Sequence, residues 1–194
     1  MKCDFLAIGA HPDDVELGCG GTIIKLISEG KTVSVIDLTE GELGTRGTAE
    51  TRAEEAANAA KILGISSREN LKLKDGFLNN SEDYQLKIVE KIRKYKPEIV
   101  LANAIDDRHP DHAKAAKLVS DACFLSGLVK IETVLEGKNQ QPWRPKHIFN
   151  YIQWKNITPD FVIDISDFMQ KKIDACLAYK TQFYDPNSTE PITP

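Results

Sequence analysis

The sequence predicts an α/β fold, a Rossmann-like, doubly wound and mostly parallel sheet flanked by helices. Three observations carry that expectation. Short apolar runs alternate with longer segments of helical period, the pattern of strands joined by crossover helices. The runs at 5–8 and 99–102 are apolar throughout, as strands buried on both faces are. Turns rich in histidine and aspartate follow these same two runs, at the strand ends where open parallel sheets bind ligands.

The elements follow in order. Phe5-Leu6-Ala7-Ile8 is a buried strand ending at Gly9. Gly18, Gly20 and Gly21 lead into Thr22-Ile23-Ile24-Lys25-Leu26-Ile27, read as a helix closed by Gly30. Val33-Ser34-Val35-Ile36-Asp37-Leu38 is a second strand, and the glycine-rich residues 39–47 are a loop. The next helix has Thr48 as N-cap and Glu50 in its first turn. Its expected buried face is Ala53, Ala56, Ala57, Ala60 and Leu63, and Gly64 stops it. A weak strand at 71–73 precedes a helix at 83–95, with Leu86, Val89, Ile92 and Arg93 at helical spacing and Pro97 beyond its end. After the strand at 99–102, a helix at 111–126 sets Ala115, Leu118, Val119 and Ala122 on one face. Residues 136–146 read as loop, 147–153 and 161–165 as strands, and 167–180 as the last helix. The stretch 185–194 carries three prolines and no pattern.

The 194 residues fit a single domain spanning 1–194. Hydrophobic residues make up 41%, enough to bury a substantial core. The net charge of −4 argues against a broad basic surface for nucleic acid or anionic membrane. No apolar run reaches the roughly 20 residues that span a bilayer. Met1-Lys2-Cys3-Asp4 runs directly into a strand rather than a secretory leader, so a cytoplasmic protein is expected. Cys3, Cys19, Cys123 and Cys176 form no C-x-x-C pair, so reduced, mostly buried thiols are expected rather than a cysteine zinc knuckle.

Three of the four histidines fall in two short motifs. His11-Pro12-Asp13-Asp14 follows the first strand, and His109-Pro110-Asp111-His112 follows the strand at 99–102. If these strands are neighbours, the motifs meet in one crevice. Imidazole and carboxylate are zinc ligands, and a catalytic zinc keeps three protein ligands and one open position. His11 and Asp14 can supply two ligands and a histidine of the second motif the third. Adjacent Asp13 and Asp14 are expected to point in different directions, so that one can bind metal while the other stays free to accept a proton from an attacking water. His147 stands apart and reads as structural. A dinucleotide site is the rival reading of Gly18, Gly20, Gly21 and Asp37, but Ile23 stands where G-x-G-x-x-G needs its last glycine. The glycines are instead expected to let the backbone pass close to the metal loop.

Gly9-Ala10-His11-Pro12-Asp13-Asp14-Val15-Glu16 and the later His109-Pro110-Asp111-His112 resemble the PIG-L (LmbE-like) zinc N-deacetylases. Asp37-Leu38-Thr39-Glu40-Gly41-Glu42-Leu43-Gly44, Glu50-Thr51-Arg52 and Tyr179-Lys180-Thr181-Gln182-Phe183-Tyr184-Asp185-Pro186 resemble its bacillithiol-biosynthesis branch, which cleaves N-acetylglucosaminyl-malate. The resemblance implies a zinc-dependent hydrolase with His11, Asp14 and His112 as ligands and Asp13 as general base. Iron or cobalt would also suit two histidines and a carboxylate. It further implies a protonated His109 that stabilises the oxyanion or protonates the leaving group, and an Asp111 that orients a neighbour. Arg52 and Arg108 become candidate binders of the malate carboxylates, with Lys180 and Gln182 as further substrate-side candidates. The expected partner is a small amino-sugar substrate, with no nucleic acid and no membrane. The chain is expected to form a homo-oligomer, as in a branch whose members are often hexamers. Members usually continue past the position of Pro194, so a C-terminally truncated chain is expected.

Overall fold

The computed structural model describes residues 2–183 and Thr189. In chain order the elements are β1 (Phe5–Gly9), α1 (Asp14–Ser28), β2 (Val33–Thr39), α2 (Ala49–Leu63), β3 (Ser67–Leu73), α3 (Glu82–Tyr95) and β4 (Ile99–Ala102). They continue with α4 (Pro110–Leu125), β5 (Val134–Leu135), β6 (Lys138–Asn139), β7 (His147–Asn150), a 3-10 turn at Ser166–Phe168 and α5 (Met169–Leu177). Five strands form one parallel sheet in the order β3-β2-β1-β4-β7, and β5 and β6 make a small antiparallel hairpin.

The period of two along each central strand builds two cores. Leu6 and Ile8 of β1, Ile36 and Leu38 of β2, and Val100 and Ala102 of β4 face α3 and α4, meeting Ile88, Ile92, Leu118 and Val119. Ala7, Val33, Val35 and Leu101 face the other way, against Val15, Cys19 and Ile23 of α1. Burial on both faces is why these strands read as continuous apolar runs. The chain runs outward from β1 through β2 to β3, then returns to β4 on the other side of β1. The β1/β4 boundary is therefore the topological switch point, where the carboxyl ends diverge into a crevice.

Several expectations are corrected. The helix expected from Thr22 begins at Asp14, so Gly18, Gly20 and Gly21 lie inside α1 rather than beside the metal loop. A Cβ at Gly18 would sit 2.2 Å from the Tyr151 ring, and one at Gly21 would sit 2.4 Å from Ile165. These glycines let the helix close on the chain segment after β7, a packing gain that outweighs their poor helix propensity. The buried face of α2 is Arg52, Glu55, Ala56, Ala59 and Leu63, leaving Ala53 and Ala57 exposed. Glu55 is buried because Thr181 donates to both its oxygens, from the backbone N and from Oγ1, each at 2.8 Å. Strand β3 starts four residues earlier than its apolar tip, since Arg68 lies against Asp37 and Glu69 against Lys94. The segment 161–165 is not a strand: Phe161, Val162 and Ile163 are exposed, with no sheet partner among the described residues. The loop at 136–146 contains β6. The expectation for 185–194 falls outside the described residues, Thr189 excepted.

Candidate metal centre

The two motifs converge because β1 and β4 are hydrogen-bonded neighbours. Ala10 N donates to Asn103 Oδ1 at 2.9 Å, tying the two strand ends together. Asp13 then takes a left-handed backbone (φ 115°) that turns the chain into α1. Such a conformation costs a non-glycine residue about 1–3 kcal/mol and persists only where its surroundings enforce it. Arg52 supplies part of that enforcement, with Nη2 donating to Pro12 O at 2.5 Å and lying 3.5 Å from Asp13 Oδ2.

The turn separates the two aspartates. Asp14 is buried between two imidazoles, with Oδ2 3.5 Å from His11 Nδ1 and Oδ1 3.1 Å from His112 Nε2. His11 N and Asn103 Nδ2 also donate to Oδ2, at 2.9 and 3.0 Å, and Gln153 Nε2 donates to Oδ1 at 2.8 Å. Each ring has a carboxylate on its far nitrogen: Asp75 Oδ1 lies 2.9 Å from His11 Nε2, and Asp107 Oδ2 lies 3.1 Å from His112 Nδ1. Asp13 projects toward Arg52 instead, with no ring nitrogen in hand.

His109 is the N-cap of α4, and its Nδ1 accepts from Asp111 N at 3.2 Å. Its ring centroid lies 4.6 Å from that of His11 and 5.0 Å from that of His112. The protonated His109 implied by the resemblance meets opposing electrostatics. Burial lowers its pKa and the His11 and His112 rings lower it further. With Nδ1 accepting, the neutral ring carries its hydrogen on Nε2. Asp111 is fully buried and accepts from Gly76 N at 2.7 Å and Leu78 N at 3.3 Å, so it fixes the loop that carries Asp75.

The arginines separate. Arg52 is buried and committed to Pro12 and Asp13, whereas Arg108 is exposed with its guanidinium 4.9 Å from the Trp154 ring. Gln182 donates to Arg46 O at 3.1 Å and so holds the 39–47 loop, and Lys180 is exposed. Tyr184, Asp185 and Pro186 lie outside the described residues.

Burial would lower the His11 pKa, but hydrogen bonds to Asp14 and Asp75 push it up to about 10. Burial would raise the Asp14 carboxyl, but His11 and His112 hold it well below the usual range. Asp13 goes the other way: burial pushes it up, aided by Asp14 and only partly offset by Arg52. Among the described residues, two groups bring one donor atom each within 4.8 Å of one another: His11, His109 and His112, and His11, Asp75 and Asp111. Both contain His11. Imidazoles converging on a buried carboxylate, with an anion behind each ring, suit a divalent cation.

Asp75, Asn103, Asp107 and Gln153 were not singled out by the sequence. Asp107 had a signal, two residues before His109 at a strand end, but Asp75, Asn103 and Gln153 carry no local motif.

A buried histidine–aspartate cluster at the switch point of a doubly wound sheet makes a candidate metal centre on a Rossmann-like fold. Residues 6–123 match the PIG-L family, GlcNAc-PI de-N-acetylase. A diacetylchitobiose deacetylase of Thermococcus kodakarensis is 33% identical over 188 residues, covering 92% of this chain and 69% of that protein. The uncharacterized deacetylase YaiS of Escherichia coli is 36% identical over 125 residues, 61% of this chain and 67% of that protein. Among solved structures, the conserved protein TT1542 from Thermus thermophilus superposes with a TM-score of 0.86 at 41% identity, covering 93% of this chain and 80% of that one. The chain belongs to the PIG-L family and is a deacetylase, an amidohydrolase. These relatives support the family at large rather than its bacillithiol branch. No helix among the described residues is long and apolar enough to cross a membrane.

Proposed function

We propose that the chain is a metal-dependent hydrolase that removes the acetyl group from the nitrogen of a small N-acetylated amino sugar. The observation that carries this is the division of labour between adjacent aspartates: Asp14 is saturated between two imidazoles, and Asp13 stands beside it uncommitted to them. A closed structural metal site has no use for a spare carboxylate. The names of the relatives, a diacetylchitobiose deacetylase among them, support N-acetyl amino sugars as the substrate class.

His11, Asp14 and His112 are assigned as the ligands. Zinc is the default metal, with iron and cobalt compatible. A cation held there would supply a Lewis acid for the amide carbonyl and would make water a better nucleophile at neutral pH. Asp13 accepts the proton of the attacking water, a task its raised pKa suits. Arg52 keeps Asp13 aimed through its contacts with Pro12 and Asp13. His109 offers its Nε2 hydrogen to the oxygen on which negative charge develops. The C–O bond forms first, with charge gathering on the former carbonyl oxygen; the C–N bond then breaks as the proton held by Asp13 passes to the leaving amine, and acetate departs.

N-acetylglucosaminyl-malate is the narrower substrate reading. One feature favours it, the exposed guanidinium of Arg108, whereas buried Arg52 is better placed for Asp13 than for malate. The relatives favour the broader class. The four free, buried cysteines fit a reducing compartment such as the cytoplasm.

The test compares Asp13→Asn with Asp14→Asn for bound metal and for release of amine from N-acetylglucosamine. Asp13→Asn keeps its metal while kcat falls about 100- to 10,000-fold, the usual worth of a general base. Asp14→Asn loses metal and activity together. Near-normal kcat in Asp13→Asn, or full metal without activity in Asp14→Asn, reverses the assignment.

A further inference from the structure

Asn103 is fully buried just past the end of β4, and its side-chain amide is fully engaged. Ala10 N donates to its Oδ1 at 2.9 Å, and its Nδ2 donates to Asp14 Oδ2 and to Gln153 Oε1, each at 3.0 Å. A backbone N–H can only donate, so this amide has one orientation: its oxygen faces Ala10, and its two hydrogens face Asp14 and Gln153. The next amide is oriented by the first. Gln153 Oε1 faces Asn103, so Gln153 Nε2 faces Asp14 Oδ1, at 2.8 Å. Because β4 lies between β1 and β7, two side-chain amides reach one carboxylate, one at each oxygen.

The two oxygens of Asp14 are left unequal. A carboxylate oxygen offers about two lone-pair sites. Those of Oδ2 are taken by His11 N at 2.9 Å and Asn103 Nδ2 at 3.0 Å, donors fixed to the backbone and to the clasp between β1 and β4. Oδ1 has one such donor, Gln153 Nε2, and its other neighbour is His112 Nε2 at 3.1 Å. That second neighbour is exchangeable, because an imidazole nitrogen that holds a cation carries no hydrogen. A cation between the rings therefore meets one free lone pair on Asp14, and it belongs to Oδ1.

We propose that Asn103 is a positioning residue that restricts Asp14 to a single ligand oxygen, Oδ1. The inference rests on the deacetylase reading above and on His11, Asp14 and His112 as ligands. Three protein donor atoms leave a catalytic cation an open position, and a second oxygen from Asp14 would occupy it. Asn103 thereby keeps the centre suited to hydrolysis rather than to holding metal alone. Gln153 bonds to the oxygen that already ligates, so its loss does not change how many oxygens Asp14 offers.

The test begins with a crystal structure of the zinc-loaded wild type, in which Asp14 Oδ1 contacts the metal and Oδ2 stays on Asn103 and His11 N. Cobalt(II) absorption, chelator competition and kcat on N-acetylglucosamine then compare wild type with Asn103→Asp, Asn103→Ser and Gln153→Leu. Asn103→Asp keeps an acceptor for Ala10 N but loses the donor to Asp14, and Asn103→Ser loses that donor without adding charge. In both, the metal is retained, the cobalt d–d bands weaken as a second oxygen joins, and kcat falls about 10- to 100-fold. Gln153→Leu keeps the wild-type cobalt spectrum. Zinc on both oxygens of wild-type Asp14, or on Oδ2 alone, overturns the proposal. So does a wild-type spectrum in the metal-saturated Asn103 variants; if these also bind metal weakly, Asn103 is only a clasp between strands. Should neither variant fold, the wild-type crystal structure decides. Zinc held by other residues overturns the ligand assignment and the proposal with it. Zinc on Oδ1 alone in a wild type that releases no amine from any N-acetylated sugar upholds the role of Asn103 and refutes the deacetylase reading.

Discussion

Replacing Asp75 with Asn loosens the metal without unfolding the protein. Asp75 Oδ1 lies 2.9 Å from His11 Nε2, and its Oδ2 accepts from Leu43 N at 2.9 Å. Its own N donates to Glu42 Oε1, also at 2.9 Å. Burial would raise its pKa, but the hydrogen bonds from His11 and Leu43 pull it down to about 2, so it is an anion at any working pH. An anion there holds the His11 hydrogen on Nε2 and leaves Nδ1 as the ligand atom on the Asp14 side. Asparagine keeps the shape and can accept from Leu43 N or from the ring, but it lacks the charge. Loss of such a partner typically costs about 10- to 100-fold in metal affinity, or about 1.4–2.8 kcal/mol at 1.4 kcal/mol per tenfold. Asp75→Ala additionally strands the Leu43 N–H, a loss of about 1–3 kcal/mol in folding stability. Competition against chelators of graded strength reads the first quantity, and thermal melts of metal-stripped protein read the second. Asn lowers affinity with little change in the stripped-protein melt, and Ala lowers both. Wild-type metal affinity in Asp75→Asn would refute the reasoning. A changed cobalt(II) absorption spectrum in that variant would instead make Asp75 a ligand, a role within reach of its position beside His11 and Asp111.

Two further predictions concern the scaffold. Burial would raise the Glu69 pKa, but Lys94, Tyr95 and Lys91 hold it down at about 2 from an ordinary 4.5. A depressed carboxylate stabilises the fold fully above its unfolded pKa, and that stabilisation is lost as pH falls through the folded one. Glu69→Gln is therefore less stable than wild type at pH 7, and the gap in urea midpoints closes between about pH 4.5 and pH 2; a gap independent of pH would remove the ionic explanation. Gly18→Ala places its Cβ 2.2 Å from the buried Tyr151 ring, whose hydroxyl donates to Ile8 O at 3.0 Å. Overpacking of this kind costs about 1–3 kcal/mol, so the variant melts below wild type, and an unchanged or raised Tm would mean that the helix shifts freely.

The sheet was legible wherever a strand is buried on both faces. The strands at 5–9, 33–39 and 99–102 offer each core apolar or small polar residues, with Asp37 of β2 the one charged exception. Strand β3 was half hidden because its partners are charges: Arg68 binds Asp37 through Nε and Nη2 at 2.7 and 2.8 Å, and a periodicity argument counts Arg68 as exposed. The same blindness rotated the buried face of α2 away from Arg52 and Glu55. The segment 161–165 misled in the opposite sense, since Phe-Val-Ile is strand-like by composition but no neighbouring strand reaches it among the described residues.

The metal centre divides along similar lines. Its ligand candidates were readable because both motifs sit where a strand passes into a helix, and His-Pro-Asp departs visibly from the apolar strand before it. What holds those candidates in place was not, because the supporting groups come from three different strand ends. Asp75 comes after β3, Asn103 and Asp107 after β4, and Gln153 after β7, and only the strand order β3-β2-β1-β4-β7 makes them neighbours of His11, Asp14 and His112. Sequence order fixes which residues can ligate, whereas sheet order fixes which residues can aim them. Asp13 shows the consequence. Its type and position made it a candidate base, but the left-handed turn that parts it from Asp14 is enforced from α2, by Arg52 reaching across to Pro12 O. Arg52 drew notice as a cation for substrate; it is buried, and its contacts with Pro12 O and Asp13 place it against the one carboxylate of the motif that the two imidazoles leave free.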